Sequence, residues 1–592
     1  MKPTRRNILE SASAGLIAGL AAPDRAGAVS GRDGSPRTDS LAAAHLAAVN
    51  RKRRVIVNFD TNFGAPSILR DLAGMDIDHL VKAYFSMIDE KGVQIDSVWW
   101  CWLDGNYANY PSKVLPVWDL PGLRKWWKAG IDPVRVFAAE TRKRGLETFF
   151  SYRLNGTDMT DIRPLTAPLF KTLHPDWLIR TWESSGNPGY WNFAMPGVRK
   201  YKVRILQEIV ENYDYDGLEI DLARVPINLP PGRQWENRRH LTTFLREVRK
   251  MTLEVERKRG RPLLLAARIP ENLVGCHFDG IDVETWAREQ LVDLLVLGNR
   301  SLEVDLPAFR RVTAGTPIKL YPCLDDHHAS DGYEKPPIEV LRGVFANWWH
   351  QGADGIQTFN FINYTPAGAA LLGWKEEDYI PPSVTHSRPT WALHRQAYRE
   401  MATPASLKDK DKTFVIQRRG GGHGATVVPD PADWTTPRWM YFLTNMFSQL
   451  PTPLANDGKA DALLFIEVAD DVTAAAERIK QIAVRILLSD AEAKERPAAE
   501  RLPPVVMACH DQPGRKRLNV PPRKGIEDRI ELRLNNALLG RPVVKGGWLL
   551  FRARPEQLAV GNNLVSVRLG QRRAPTQGPV VVEMCEIDVV YR

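Results

Sequence analysis

The segment Tyr213-Asp-Tyr-Asp-Gly-Leu-Glu-Ile-Asp-Leu-Ala-Arg-Val-Pro226 sets two carboxylates, Glu219 and Asp221, inside an otherwise apolar run. Strand alternation puts both on one face. A strand whose other face is also apolar is covered on both sides, as in a parallel sheet wrapped by helices. Working outward, seven more runs of this kind alternate with amphipathic stretches: VIVNFD from Val55, SVWWCW from Ser97, ETFFSYRLN from Glu147, LLLAARIP from Leu263, LLVLGNR from Leu294, IKLYPCLDD from Ile318 and GIQTFNF from Gly355. Helical spacing of apolar residues predicts helices over Asp132 to Arg144, Gly197 to Tyr213, Arg233 to Arg259, Pro337 to Gln351 and Thr390 to Met401. Eight such repeats predict an α/β fold, a closed (β/α)₈ TIM barrel spanning 55–409. No GxGxxG follows the first strand, which argues against a dinucleotide site, and no cofactor is expected.

In such a barrel the chemistry sits where strands run into the following loops. The polar residues there are Asp60, Asp104, Arg153, Asn155, Glu219, Asp221 and Arg224 over the first four strands. Arg268 and Glu271, Asn299 and Arg300, Asp325 to His328, and Asn360 with Asn363 follow over the last four. An unpaired carboxylate inside a barrel is costly and commonly has a shifted pKa. We therefore read Asp221, Glu219, Asp325 and Asp326 as the catalytic set, and Asp60, Trp100, Asp104, Arg153, Asn155, Arg224, Arg268, Asn299 and Asn360 as substrate-binding. The bland alternative is a salt bridge between these carboxylates and an interior arginine. His327-His328 reads as a hydrogen-bonding pair or as substrate contacts, and no metal is expected.

The stretch YDYDGLEIDLARVP, with Asp216, Gly217, Asp221, Arg224 and Pro226 in register, resembles the fourth strand of the glycosyl hydrolase-like family 10 group of TIM barrels. That resemblance implies an enzyme of the glycoside hydrolase class acting on polysaccharide, with Asp221 as the leading catalytic residue. A fainter likeness to the chitinase DGxDxDxE strand fails at its last acid, where this chain has Ala223. Glycoside cleavage generally needs two carboxyls, one as acid and one as nucleophile or base. Asp221 is expected as the acid and Asp325 or Asp326 as its partner, with Glu219, Asp60 and Asp104 as alternatives.

Arginines 153, 224, 268 and 300 would suit an anionic sugar through their bidentate forks, or would pair with Glu219, Asp221 and Glu271 to neutralise the barrel mouth. Of the 18 tryptophans, those in the long loops after strands two and three (Trp118, Trp126, Trp127, Trp177, Trp182, Trp191), with Tyr107, Tyr110 and Tyr190, are expected as sugar platforms. A non-catalytic glycan-binding barrel and a polysaccharide lyase stay open.

Residues 1–28 read as a signal peptide with the twin-arginine segment Thr4-Arg5-Arg6-Asn7-Ile8-Leu9, and 29–54 as a linker. The expected location is periplasmic or secreted, with no membrane association after cleavage. At 44% hydrophobic and 25% charged the chain has ordinary globular composition. Its formal charge of +10 falls to +4 beyond Arg54, too little for a nucleic-acid-binding field. Five widely spaced cysteines without a CxxC pair argue against a zinc ribbon or a disulfide scaffold. From about Asp411 alternating strands predict an antiparallel β-sandwich over 410–592, whose run from Ile530 to Leu569 resembles galactose-binding-like accessory modules.

Overall fold

The structure, a computed structural model, describes residues 36–61, 75–103, 107–118, 120–155, 169–179, 189–298, 301–325, 332–333, 335–359, 361, 364–373, 391–419, 448–507, 517–570, 573–574 and 577–592. Among them no helix is long and apolar enough to cross a membrane.

Eight parallel strands close a barrel in chain order: β1 (Val55–Asp60), β2 (Ser97–Leu103), β3 (Glu147–Arg153), β4 (Gly217–Asp221), β5 (Leu264–Ile269), β6 (Leu294–Leu297), β7 (Lys319–Leu324) and β8 (Ile356–Phe359). Each lies in one of the eight predicted runs. The five predicted helices are also present, as α2 (Pro133–Lys143), α3 (Pro196–Asn212), α4 (Gln234–Arg259), α5 (Ile338–His350) and α6 (Trp391–Glu400). They follow α1 (Pro36–Val49), which occupies much of the segment read as a linker.

Alternation within the strands sorts side chains into two layers. Ile56, Trp99, Phe149, Leu264, Leu294, Val296 and Phe359 fill the barrel interior. Trp99 lies flat on Phe149, ring centroids 4.5 Å apart, and a Cβ at Gly217 would fall 2.3 Å from the Phe149 ring. The glycine of the Asp-Gly pair thus makes room for an interior ring. Val49 belongs to the same interior cluster, so the end of α1 helps to fill the barrel. Nearby, Arg53 forms a buried ion pair with Glu147, and His45 bridges Glu256 at 2.7 Å and Asp293 at 3.0 Å.

Most of the described C-terminal strands form two antiparallel sheets, as predicted. One runs β9 (Lys412–Ile416), β15 (Val580–Tyr591), β11 (Ile479–Asp490) and β13 (Trp548–Ala553). The other pairs β10 (Ala462–Val468) with β14 (Gly561–Leu569), and β14 with β12 (Ile530–Leu534). A turn through Asn535 and Asn536, with φ of 48° and 69°, leads out of β12, the left-handed geometry that asparagine tolerates. Barrel and sandwich touch closely: a Cβ at Gly343 on α5 would lie 2.3 Å from the Thr413 carbonyl oxygen of β9.

Candidate active site at the barrel mouth

Register places Arg153, Asp221 and Arg268 side by side at the C-terminal ends of β3, β4 and β5. Asp221 is 1% exposed. Its Oδ2 accepts from Arg268 Nη2 at 2.6 Å, and its Oδ1 accepts from the backbone N–H groups of Ala223 at 3.0 Å and Arg224 at 2.8 Å. Both oxygens are thereby tied down. This is the geometry of a fixed anion, not of a proton donor free to swing outward, and it argues against the acid role expected for Asp221.

One layer deeper, Glu219 accepts from Asn58 Nδ2 at 2.8 Å, Ser151 Oγ at 2.5 Å and Gln357 Nε2 at 3.4 Å. Arg268 Nε approaches it to 3.8 Å. Burial pushes the Glu219 carboxyl up and the neighbouring Asp221 adds to this, while Arg268 and the Ser151 and Gln357 hydrogen bonds oppose it. Burial works against the Arg268 charge as well, but Asp221 and then Glu219 outweigh it and hold the guanidinium above its ordinary range. One buried cation therefore serves two acids, and burial favours the protonated form of Glu219, the deeper one. The Arg268 guanidinium also stacks 3.9 Å from the Phe359 ring, and Arg153 lies 5.5 Å from the same ring.

A second pair is nearer to solvent. Arg153 Nη2 donates to both oxygens of Asp60 at 2.6 Å, and the Asp60 side chain is 22% exposed. Arg268 thus pairs with Asp221, as the neutralising alternative had it, whereas Arg153 pairs with Asp60, an acid outside that alternative. Arg224 is half-buried beside its backbone bond to Asp221. Asp325 and Glu271 are buried just past β7 and β5. Asp104, Asn299, Arg300, Asp326, His327, His328, Asn360 and Asn363 lie outside the described residues.

Several sequence-based expectations are corrected. Trp100 faces the helical layer, with its Nε1 donating to Thr141 on α2 and its ring against Phe59, so it is core, not a substrate contact. The alternation that turns Trp99 inward turns Trp100 outward. Asn155 is buried, its Nδ2 donating to the Trp191 and Ile227 carbonyls and its Oδ1 accepting from the Trp191 N–H. It locks two loops together, and its amide is taken up by their backbone. Trp118, Trp126, Trp191 and Tyr110 are buried core residues too. Trp177 packs over Gly197, and Trp127, Tyr107 and Tyr190 are half-buried; Trp182 lies outside the described residues. Asp216 of the strand motif sits before β4, at the other end of the barrel, where it accepts from the Thr148 N–H and from Arg142.

The residues that hold Glu219, namely Asn58, Ser151 and Gln357, went unread in the sequence. Each stands two positions before a residue at a strand end, Asp60, Arg153 and Phe359, on the same interior face, and that spacing was the available signal.

Residues 77–236 match the glycosyl hydrolase-like 10 family. The family segment includes Arg153, Glu219, Asp221 and Arg224, but not Asp60, Arg268 or Asp325. Similar curated proteins are the glycosyl hydrolase YngK of Bacillus subtilis, 33% identical over 95 residues (16% of this chain, 18% of that protein), and the glycosyl hydrolase DigH of Escherichia coli, 32% identical over 124 residues (19% and 27%). The chain thus spans only 18% and 27% of these relatives' lengths. Among solved structures, the endo-β-1,4-mannanase of Thermotoga petrophila aligns with a TM-score of 0.40 and 10% identity over 91% of this chain and 98% of that one. The glycoside hydrolase domain of PgaB from Bordetella bronchiseptica aligns with a TM-score of 0.33 and 12% identity over 56% and 99%.

Proposed function

We propose that the protein is an exported glycoside hydrolase that cleaves a polysaccharide or oligosaccharide by carboxylate chemistry at the barrel mouth. The observation that carries this reading is the row Arg153, Asp221 and Arg268 at the strand ends, with Asp221 inside the segment that matches the family. In this reading Asp221 is a fixed negative charge beneath the reacting sugar, favouring the positive charge that develops at the anomeric carbon. Arg268 and the two backbone N–H groups hold it in place. The proton donor then comes from the end of β7, Asp325 or Asp326, and Asp60 with Arg153 lines the entrance. Because Arg153 and Arg268 already face acids, the proposed substrate is an uncharged glycan more readily than an anionic one. The leader supports twin-arginine export and a periplasmic or secreted location.

A second reading, a glycan-binding barrel without catalysis, is favoured by the burial of Asp221. Incubating the protein with neutral, uronic, sulfated and amino-sugar glycans separates the readings. Hydrolysis products that diminish at least 100-fold in Asp325→Asn or Asp326→Asn support general acid catalysis, which contributes ~10²–10⁴-fold. Binding without cleavage of any glycan leaves the second reading. An unsaturated product absorbing in the ultraviolet would make the protein a lyase and overturn both.

A further inference from the structure

One end of the sandwich holds a cavity of about 390 Å³, within the ~300–1,000 Å³ of small-molecule sites. It lies where the two sheets end: Asp490 of β11 pairs with Val580 of β15 in one, and Ile530 of β12 pairs with Leu569 of β14 in the other. The buried side chains of Ile526, Leu569 and Val580 form its apolar part. Its charged lining is lopsided, with Arg496, Arg523, Lys524, Arg529 and Arg573 against Asp490 and Glu492. No phenylalanine, tyrosine or tryptophan stands among the described lining residues.

Four of the five cations, Arg496, Arg523, Lys524 and Arg529, are exposed and so open to a ligand. Among the described residues no acid pairs with any of the four. The acids interleaved with them along the chain are taken up elsewhere: Glu527 Oε2 accepts from the Gly525 N–H at 2.8 Å, and Asp528 pairs with Arg541 at 2.5 Å. Within the cavity, Asp490 Oδ1 accepts from the Glu492 N–H at 3.1 Å and from Arg573 Nη2 at 3.3 Å, and Glu492 Oε1 accepts from the Gly578 N–H at 3.2 Å. The two acids thus brace their own loops and offset Arg573. The backbone that carries three of the four free cations is held in place. The Lys524 N–H donates to the Glu500 carbonyl at 2.9 Å, the Leu502 N–H to the Pro522 carbonyl at 3.0 Å, and the Gly570 N–H to the Arg529 carbonyl at 2.7 Å. Like charges fixed around one hollow repel one another, and an anion between them relieves that repulsion. Guanidinium forks take carboxylate or sulfate bidentately. Without an aromatic ring the hollow offers neither the platform that a neutral pyranose stacks on nor the one that a nucleic-acid base needs.

We propose that this end of the sandwich is a binding site for the acid groups, carboxylate or sulfate, of an anionic polysaccharide, held by Arg496, Arg523, Lys524 and Arg529. The site goes beyond the catalytic reading: it requires charge on the polymer that the sandwich holds, not on the sugar in the barrel mouth, and it does not require that the barrel cleave anything. It gives the sandwich a task of its own, anchoring the protein to a charged matrix.

Isothermal titration of the full chain at low salt tests the site, with hexagalacturonate as the carboxylate probe, a heparin hexasaccharide as the sulfate probe, maltohexaose as the neutral control and a thymidine oligonucleotide as the nucleic-acid control. The double variant Arg523→Gln/Lys524→Gln and the single variant Arg529→Gln each remove exposed charge from the cavity, and Arg552→Gln removes an exposed charge of β13 outside its lining. At least one anionic hexasaccharide is expected to bind, the tighter of the two telling carboxylate from sulfate. Its Kd should rise about tenfold or more in both cavity variants, and stay unchanged in Arg552→Gln and in Asp325→Asn. Should either cavity variant fail to fold, Arg496→Gln on the facing loop takes its place. The proposal is overturned if neither anionic glycan binds, if the cavity variants bind like the parent, if Arg552→Gln weakens binding as much as they do, or if maltohexaose or the oligonucleotide binds more tightly than both anionic glycans. Turnover is assayed separately, so a protein that cleaves glycan but fails these titrations condemns the site alone. A protein that binds here but never cleaves condemns only the catalytic reading.

Discussion

Arg268 carries the site's electrostatics. It is fully buried, ion-paired to Asp221 and close to Glu219, and stacked on Phe359. Removing one partner of a buried pair is worse than never having had it, since the remaining charge is left without compensation. Arg268→Met keeps most of the volume but strands Asp221 and raises the cost of ionising Glu219. We expect it to lower unfolding free energy by about 3–5 kcal/mol, read by urea titration of purified protein. Arg268→Lys should recover part of that loss, since it restores charge without the fork. If Arg268→Met proves as stable as the parent, the pair is not what holds Asp221.

The end of the N-terminal helix α1 is held to the barrel by a pH-sensitive bridge at His45. Burial works against charge on His45, but hydrogen bonds from its ring to Asp293 and Glu256 outweigh this and raise its pKa from 6.5 to about 9. Arg249 makes a bidentate pair with the same Asp293 at 2.8 Å. A folded-state pKa above the unfolded one means the native state binds more protons between the two values. The stabilisation is therefore complete below pH 6.5 and is lost as pH rises towards 9. Thermal melts of the parent should fall over that window more steeply than those of His45→Gln; parallel curves would contradict the bridge. This clasp was hidden in the sequence, because a histidine in an Ala-rich segment says nothing about carboxylates more than 200 positions away. The strands, in contrast, were plain. Burial on both faces leaves near-continuous apolar runs such as LLLAARI, and the helices between them show their own period. The candidate site falls between these cases. Alternation alone put Glu219 and Asp221 on one face, but which arginine meets which acid depends on register between distant strands, as Arg153 turning to Asp60 and Arg268 to Asp221 illustrates. Local pattern likewise showed tryptophans on β2 without saying that Trp100 looks outward.

For the molecule as a whole, the barrel and the sandwich share a seam. Gln417 Oε1, just past β9, accepts from Ser301 Oγ at 2.9 Å and from the Leu302 N–H at 2.8 Å, both in the loop after β6. Arg342 on α5 pairs with Glu400 at 2.7 Å and reaches the Asp411 carbonyl at 3.2 Å. Gly343, one residue on, is where helix and strand backbones meet, and a Cβ there has backbone, not a flexible side chain, in its way. Gly343→Ala should cost ~1–3 kcal/mol as an overpacked contact and split a single calorimetric transition into two. A single unchanged transition would show that the seam does not couple the two parts.

The proposed chemistry depends on the carboxylate at position 221. The most direct measurement is the rate of reducing-end release by Asp221→Asn against the parent, on whichever glycan the parent cleaves, with melting temperatures taken on both. A loss of at least 100-fold in kcat is expected while the variant remains folded at the assay temperature. A folded variant that cleaves at the parental rate would remove Asp221 from the chemistry, and a parent that cleaves no glycan would remove the chemistry itself.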